Sequence, residues 1–157
     1  MRYLPKSRWK KAGLVFLMIF GLIQFIPRPV RNISSATTNK GIEQLYLMPD
    51  SIMHILKVAC YDCHSNNTNY PWYSNIQPVS WFLNRHIVEG KAELNFDEFG
   101  NYSKRRQHSK FKSITSQVKD GKMPLNSYKI LHREARLSDN ERHLIISWFE
   151  NMLKSIK

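Results

Sequence analysis

Apolar residues recur at helical spacing in several stretches of the chain and run together in one more. Over residues 50–62, Ile52, Ile55, Leu56 and Ala59 fall on one face, with Asp50 and Ser51 near the start. Residues 79–93 and 103–119 also read as helices. In the second of these Ser103 is the N-cap, Phe111, Ile114 and Val118 share a face, and Gly121 marks the stop. A last helix is predicted over 138–155. Ser138 and Glu141 form a capping box there, followed by Leu144, Ile145, Trp148, Phe149 and Met152. These elements predict an all-α domain over residues 45–157.

The continuous apolar run is Ala12 to Ile26, interrupted only by Gln24 and followed by Pro27-Arg28-Pro29. Its length lies between that of a secretion-signal core and that of a minimal membrane span. Small residues at Ser34-Ser35-Ala36 offer a cleavage site, but it lies far beyond the run. An uncleaved anchor over residues 12–27 is therefore expected, behind a basic arm of residues 1–11. Five cations (Arg2, Lys6, Arg8, Lys10, Lys11) precede the run and two, Arg28 and Arg31, follow it. That asymmetry predicts a cytoplasmic N-terminus and an exported remainder, held at the outer face of the cytoplasmic membrane. Residues 28–44, small and polar in their centre, are expected to be a flexible tether.

Charge changes this picture little. The chain of 157 residues has a formal net charge of +12, but eight of its 24 cations and none of its anions lie in residues 1–40. The remainder sets sixteen cations against all twelve anions, too small an excess for a phosphate-gripping face. Nucleic acid is not expected as a partner. The exposed side of the 103–119 helix carries Lys104, Arg105, Arg106, Lys110 and Lys112. These form either an ordinary solvated face or a docking patch for an acidic redox partner.

The candidate chemistry lies at Cys60-Tyr61-Asp62-Cys63-His64, the only two cysteines of the chain and the histidine that follows them. C-x-x-C-H is the attachment signature of haem c. Each thiol adds across one vinyl group of the porphyrin, and His64 falls beneath the iron as its proximal ligand. A thioredoxin-like site would sit in a βαβ context, which is missing here. Structural zinc would need a second ligand pair, and a plain disulfide would not require His64.

The stretch CYDCHSNNTNYPWYSNIQPVSWFL, then GKMPL, then HREARLSDNERHLIISW, resembles the haem-binding domain family of Bacteroidetes-type bacteria over roughly residues 45–155. The resemblance implies a small cytochrome c-like module with one haem, often behind an N-terminal membrane segment. It also implies that the first and last helices of the domain pack together beside the haem. It implies no particular substrate.

The sixth iron position separates the possible functions. Met123, in Gly121-Lys122-Met123-Pro124, would raise the reduction potential and close the site, or would simply fill a core gap. His86 is the second candidate. His54 lies too close to the motif, His108 and His143 stand in polar surroundings, and His132 reads as a hydrogen-bonding loop residue. Trp72, Tyr73 and Trp81 are candidates to pack on the porphyrin, and Arg85 to pair with a propionate. Electron transfer by a membrane-attached mono-haem protein is the leading expectation. The alternative is a haem-based peroxidase, or a gas or redox sensor, with an open or labile sixth position.

Overall fold

The computed structural model describes residues 6–34 and 39–156. Among them every regular element is helical, apart from one isolated bridge between Ile33 and Asn67. The all-α expectation therefore holds. By its contacts the chain divides into two units, one of Met1–Arg31 with Tyr70–His86, the other of Asn32–Asn69 with Ile87–Lys157.

The first unit contains helix α1 (Lys6–Ile23). It carries Lys6, Arg8, Lys10 and Lys11 in its first six positions, and only the twelve residues from Ala12 to Ile23 are free of charge. At about 1.5 Å per residue those twelve cover roughly 18 Å, against about 30 Å of bilayer hydrocarbon. No helix among the described residues is long and apolar enough to cross a membrane. The spanning helix expected over 12–27 is corrected accordingly: the chain leaves the helix at Gln24, three residues before Pro27. Gln24 is held there by two bonds to one residue, its Nε2 donating to the Gln77 carbonyl at 2.9 Å and its Oε1 accepting from the Gln77 amide at 3.0 Å. The apolar side chains of α1 are nonetheless exposed, Leu14, Phe16 and Leu17 among them. Residues 1–5 of the expected basic arm, and Ser35 and Ala36 of the possible cleavage site, lie outside the described residues.

The second unit holds the core. Helices α3 (Asp50–Ala59), α6 (Lys104–Lys119) and α8 (Asp139–Ser155) supply most of its apolar faces, and α8 packs against both of the others. Phe111, fully buried on α6, is the hub. It stacks on Phe99 at 5.1 Å and meets Tyr46, Phe149 and Trp148 at 5.3, 5.4 and 6.4 Å. Such pairs add to the area term, which is about 1.5–3 kcal/mol for a buried large apolar side chain. The caps follow the sequence. The Ser103 hydroxyl accepts from Arg106, the Ser138–Glu141 capping box is formed, and Gly121 adopts φ +67° beyond the end of α6. Ile145, Trp148 and Phe149 are buried, whereas Leu144 stays 40% exposed.

Two stretches differ from expectation. The helix read over 50–62 stops at Ala59, and a separate turn, α4 (Tyr61–His64), carries the motif. Cys60 breaks the run, at φ −129° and ψ −39°. Within 28–44, the stretch read as a tether, helix α2 (Ile42–Leu45) places Ile42 in the core at full burial. Asn32 is likewise built into the fold, its Nδ2 donating to the Ser65 carbonyl and the Thr68 hydroxyl.

Candidate haem site

The motif turn is braced from three sides of its own unit. The Asp62 carboxylate accepts from the hydroxyl of Tyr128, on α7 (Asn126–Leu131), at 2.6 Å and from the Asn69 amide at 3.1 Å, and the Thr68 hydroxyl donates to the Asp62 carbonyl. Tyr61 stacks on Phe96 at 5.1 Å, and its hydroxyl donates to Glu43. The Asn66 amide donates to Asp97, and the Asn66 side chain bonds both Glu98 and Asn95. The polar letters of CYDCHSNNTN are thus hydrogen-bonding members of the fold, which tie an irregular backbone segment in place.

Helix α5 (Val79–Glu93) closes the remaining side, through its last turns. A Cβ at Gly90 would meet the Cys63 carbonyl oxygen at 2.7 Å, so only glycine admits this approach. The approach matters because it brings the carbonyls at the C-terminal end of α5 to the motif, where that of Gly90 also accepts from the Leu94 amide at 2.9 Å. His64 Nδ1 lies 2.9 Å from the Gly90 carbonyl and 3.0 Å from that of Leu94. Both partners are acceptors, so Nδ1 carries the hydrogen and Nε2 keeps its lone pair. Burial holds the imidazole below its ordinary range, partly offset by the Leu94 and Gly90 carbonyls. A neutral ring, oriented by a carbonyl on its far nitrogen, is the usual state of a metal-ligating histidine.

His64 and Cys60 line a cleft of about 290 Å³, whose walls include Leu94, Phe96, Ile114 and Val118. Met123 and Pro124 line the same cleft. The turn that brings Met123 there is fixed by the backbone: the amides of Lys122 and Met123 both donate to the Gln117 carbonyl, at 3.0 and 3.1 Å. Lys110, also on the wall, lies 3.5 Å from Glu93. Burial, and then the neighbouring Cys63, push the Cys60 thiol up to about 12. Burial and the Asp62 carboxylate push Cys63 up to about 11. Both sulfurs are therefore protonated thiols at neutral pH. Among the described residues no three His, Cys, Asp or Glu side chains converge to hold a metal ion, so the donor set is not that of a closed zinc site.

An apolar cleft with a neutral, oriented imidazole, a thiol and a thioether on its walls has the chemistry that haem requires. A model of the haem-binding domain family matches residues 18–151. The chain belongs to that family. No curated protein and no solved structure matches it. The match begins well before residue 45, so it takes in most of the first unit as well.

Of the other candidates of this haem-binding domain, five are described in the first unit by itself. Trp72, Tyr73, Trp81, Arg85 and His86 all belong to the first unit. Trp72 is 75% exposed and meets Tyr73 edge-on at 5.9 Å, while His86 packs edge-on against Phe82 at 4.3 Å. The cleft is described from residues of the second unit alone. His54, His108 and His143 are exposed, and His132 bonds Glu134 at 3.1 Å. Sequence reasoning missed Gly90, Leu94 and Tyr128. A glycine inside a helical pattern is a legible sign of close approach; the roles of the other two are tertiary.

Proposed function

We propose that this haem-binding domain is an electron carrier, with haem c joined through Cys60 and Cys63 and its iron held by His64 and Met123. The observation that carries the reading is the shared cleft: His64, with Nδ1 committed to the Gly90 and Leu94 carbonyls, and Met123, on a hydrogen-bonded turn, line one apolar space. When bound, haem supplies reversible one-electron chemistry.

The chain's own residues set the conditions. Protonated thiols at Cys60 and Cys63 suit addition of S–H across a vinyl C=C, in which the sulfur takes one carbon, the hydrogen the other, and nothing leaves. The Gly90 and Leu94 carbonyls fix the tautomer and orientation of His64. Phe96, Leu94, Ile114 and Val118 give the cleft apolar wall, which limits how much solvent has to reorganise when charge in the cleft changes. A thioether at Met123 favours the ferrous state and a raised potential. Gln117, whose carbonyl holds the Met123 turn, lines the same cleft, as does Lys110.

The exposed apolar side chains of α1, with cations in its first turns, support attachment to a membrane surface. The exposed Lys104, Arg105, Arg106 and Lys112 support an acidic protein as redox partner.

The deciding experiment is a denaturing gel stained for haem-dependent peroxidase activity, with an absorption spectrum of the native protein. Covalent haem leaves stain on the band, and Cys60→Ala with Cys63→Ala abolishes it. Haem extractable by acid acetone from the native protein would refute the thioether bonds.

A further inference from the structure

A second cavity, of about 430 Å³, adjoins the first through Pro124, which lines both. Its chemistry is different. Three cations face it, Lys129, Arg136 and Arg142, and no carboxylate is among the residues that line it. Two of the three are pinned. Arg136 Nε donates to the Lys129 carbonyl at 2.9 Å, and one terminal nitrogen of Arg142 donates to the Val118 carbonyl at 2.7 Å, at the C-terminal end of α6. Each guanidinium thus spends one donor on a backbone oxygen and keeps its other N–H groups.

Gathering three like charges in one hollow costs electrostatic energy in the absence of a counter-ion. A protein that merely solvated these residues would let the side chains spread apart. Here the two forks are held by backbone bonds, so the entropy of orienting them is already lost before any ligand arrives. Buried Pro124 and half-buried Leu137 form apolar wall beside them, which lowers the local dielectric and strengthens attraction for an anion. Planar forks beside an ammonium match carboxylate or phosphate oxygens.

We propose that Lys129, Arg136 and Arg142 form a binding site for a ligand carrying two oxyanion charges. That chemistry has two sources. One is a free dianion such as inorganic phosphate. The other is the pair of haem carboxylates, which rests on the haem reading above and follows from charge: among the described residues the one Lys or Arg lining the haem cleft, Lys110, already lies against Glu93.

The test uses the full chain loaded with haem, titrated calorimetrically with inorganic phosphate at low ionic strength. Wild type is compared with Lys129→Gln and with Lys129→Gln/Arg136→Gln. Lys129→Gln guards against misfolding, because it leaves the Arg136 and Arg142 backbone bonds intact. A free-dianion site gives saturable one-to-one binding in the wild type, weakened at least tenfold in the double variant and severalfold in the single one. If the haem carboxylates occupy the cleft, phosphate does not bind the wild type. The pH dependence of the reduction potential then shifts in both variants, because the carboxylates lose their cations. Phosphate binding that the variants leave unchanged overturns the proposal. So does the absence of both phosphate binding and any change in the pH profile. A chain without covalent haem refutes the thioether reading separately, through the gel stain, and leaves the phosphate titration interpretable.

Discussion

Gly90 stands against the backbone of Cys63 so closely that a Cβ would lie 2.7 Å from the Cys63 carbonyl oxygen and 3.2 Å from its Cβ. The same residue gives its carbonyl to His64 Nδ1. One helical position therefore sets both the distance from α5 to the motif and the orientation of the imidazole.

Gly90→Ala tests that relationship. Alanine in a helix gains about 1 kcal/mol over glycine. Overpacking against rigid backbone typically costs about 1–3 kcal/mol, and the obstructing atom here is a main-chain oxygen that cannot rotate away. The clash wins. Denaturant unfolding should show a net loss of stability, and His64 should lose part of its hold, seen as a perturbed absorption spectrum. A stabilised protein with an unchanged spectrum would show that the approach is looser than it stands.

The thiols give a second prediction, from pH. With Cys60 at about 12 and Cys63 at about 11, the folded chain without haem holds few thiolates at pH 8. Thiolate is the reactive form, so alkylation should run roughly a hundredfold slower at Cys63 and roughly a thousandfold slower at Cys60 than for an ordinary cysteine, and guanidinium should restore the ordinary rate. The linked stability follows in sign. A thiol whose folded value is raised binds its proton more tightly in the fold than when unfolded. Its stabilisation is complete below the ordinary value near 9 and is lost as pH rises towards 11–12. The haem-free fold should therefore weaken through that alkaline window, and Cys60→Ala/Cys63→Ala should flatten the profile.

Much of the frame was legible because it is local. The helices at 103–119 and 138–155 declare themselves by periodicity and caps. Ser138 and Glu141 lie three positions apart, and Gly121 is the residue type that a positive φ demands. The motif was legible as chemistry. What bends the chain at Cys60, or draws Ile42 into the core, is tertiary: neither residue carries a local signal that outweighs its neighbours. The Gly90 and Leu94 carbonyls are invisible to side-chain patterns, since any residue supplies the same oxygen. The apolar content, length and flanking charges of the run at 12–26 do not show that its helix ends where the Gln24 side chain pairs with Gln77, 53 residues away.

Tyr128→Phe tests the brace on Asp62. The hydroxyl donates to a half-buried carboxylate at 2.6 Å, and a hydrogen bond to a charged group contributes about 1.5–3 kcal/mol. The Asn69 amide still serves the other oxygen, so the loss should fall near the lower end. Chemical denaturation measures it. In an Asp62→Asn background the effect should shrink, and full additivity in that double-mutant cycle would show that the two groups do not interact.

Met123 carries the prediction that decides between carrier and enzyme. It lines the cleft with His64 and Cys60, on a turn whose amides are bound to Gln117. Met123→Ala leaves Cys60, Cys63 and His64 untouched, so the gel stain should persist. Truncating a half-buried methionine should cost about 1–2 kcal/mol, below the range for a fully buried one. If the thioether is the sixth ligand, the oxidised protein should lose any weak charge-transfer band at the red end of its spectrum and become high-spin. The reduction potential should fall, because the soft donor that favours ferrous iron is gone. Peroxidase activity should rise, since the Met123 thioether would no longer shield the metal. His86→Ala serves as the comparison and should change none of these readings. A low-spin spectrum that survives Met123→Ala but not His86→Ala would move the ligand to His86. A spectrum indifferent to both would remove the thioether from the iron and leave Met123 as a wall of the cleft.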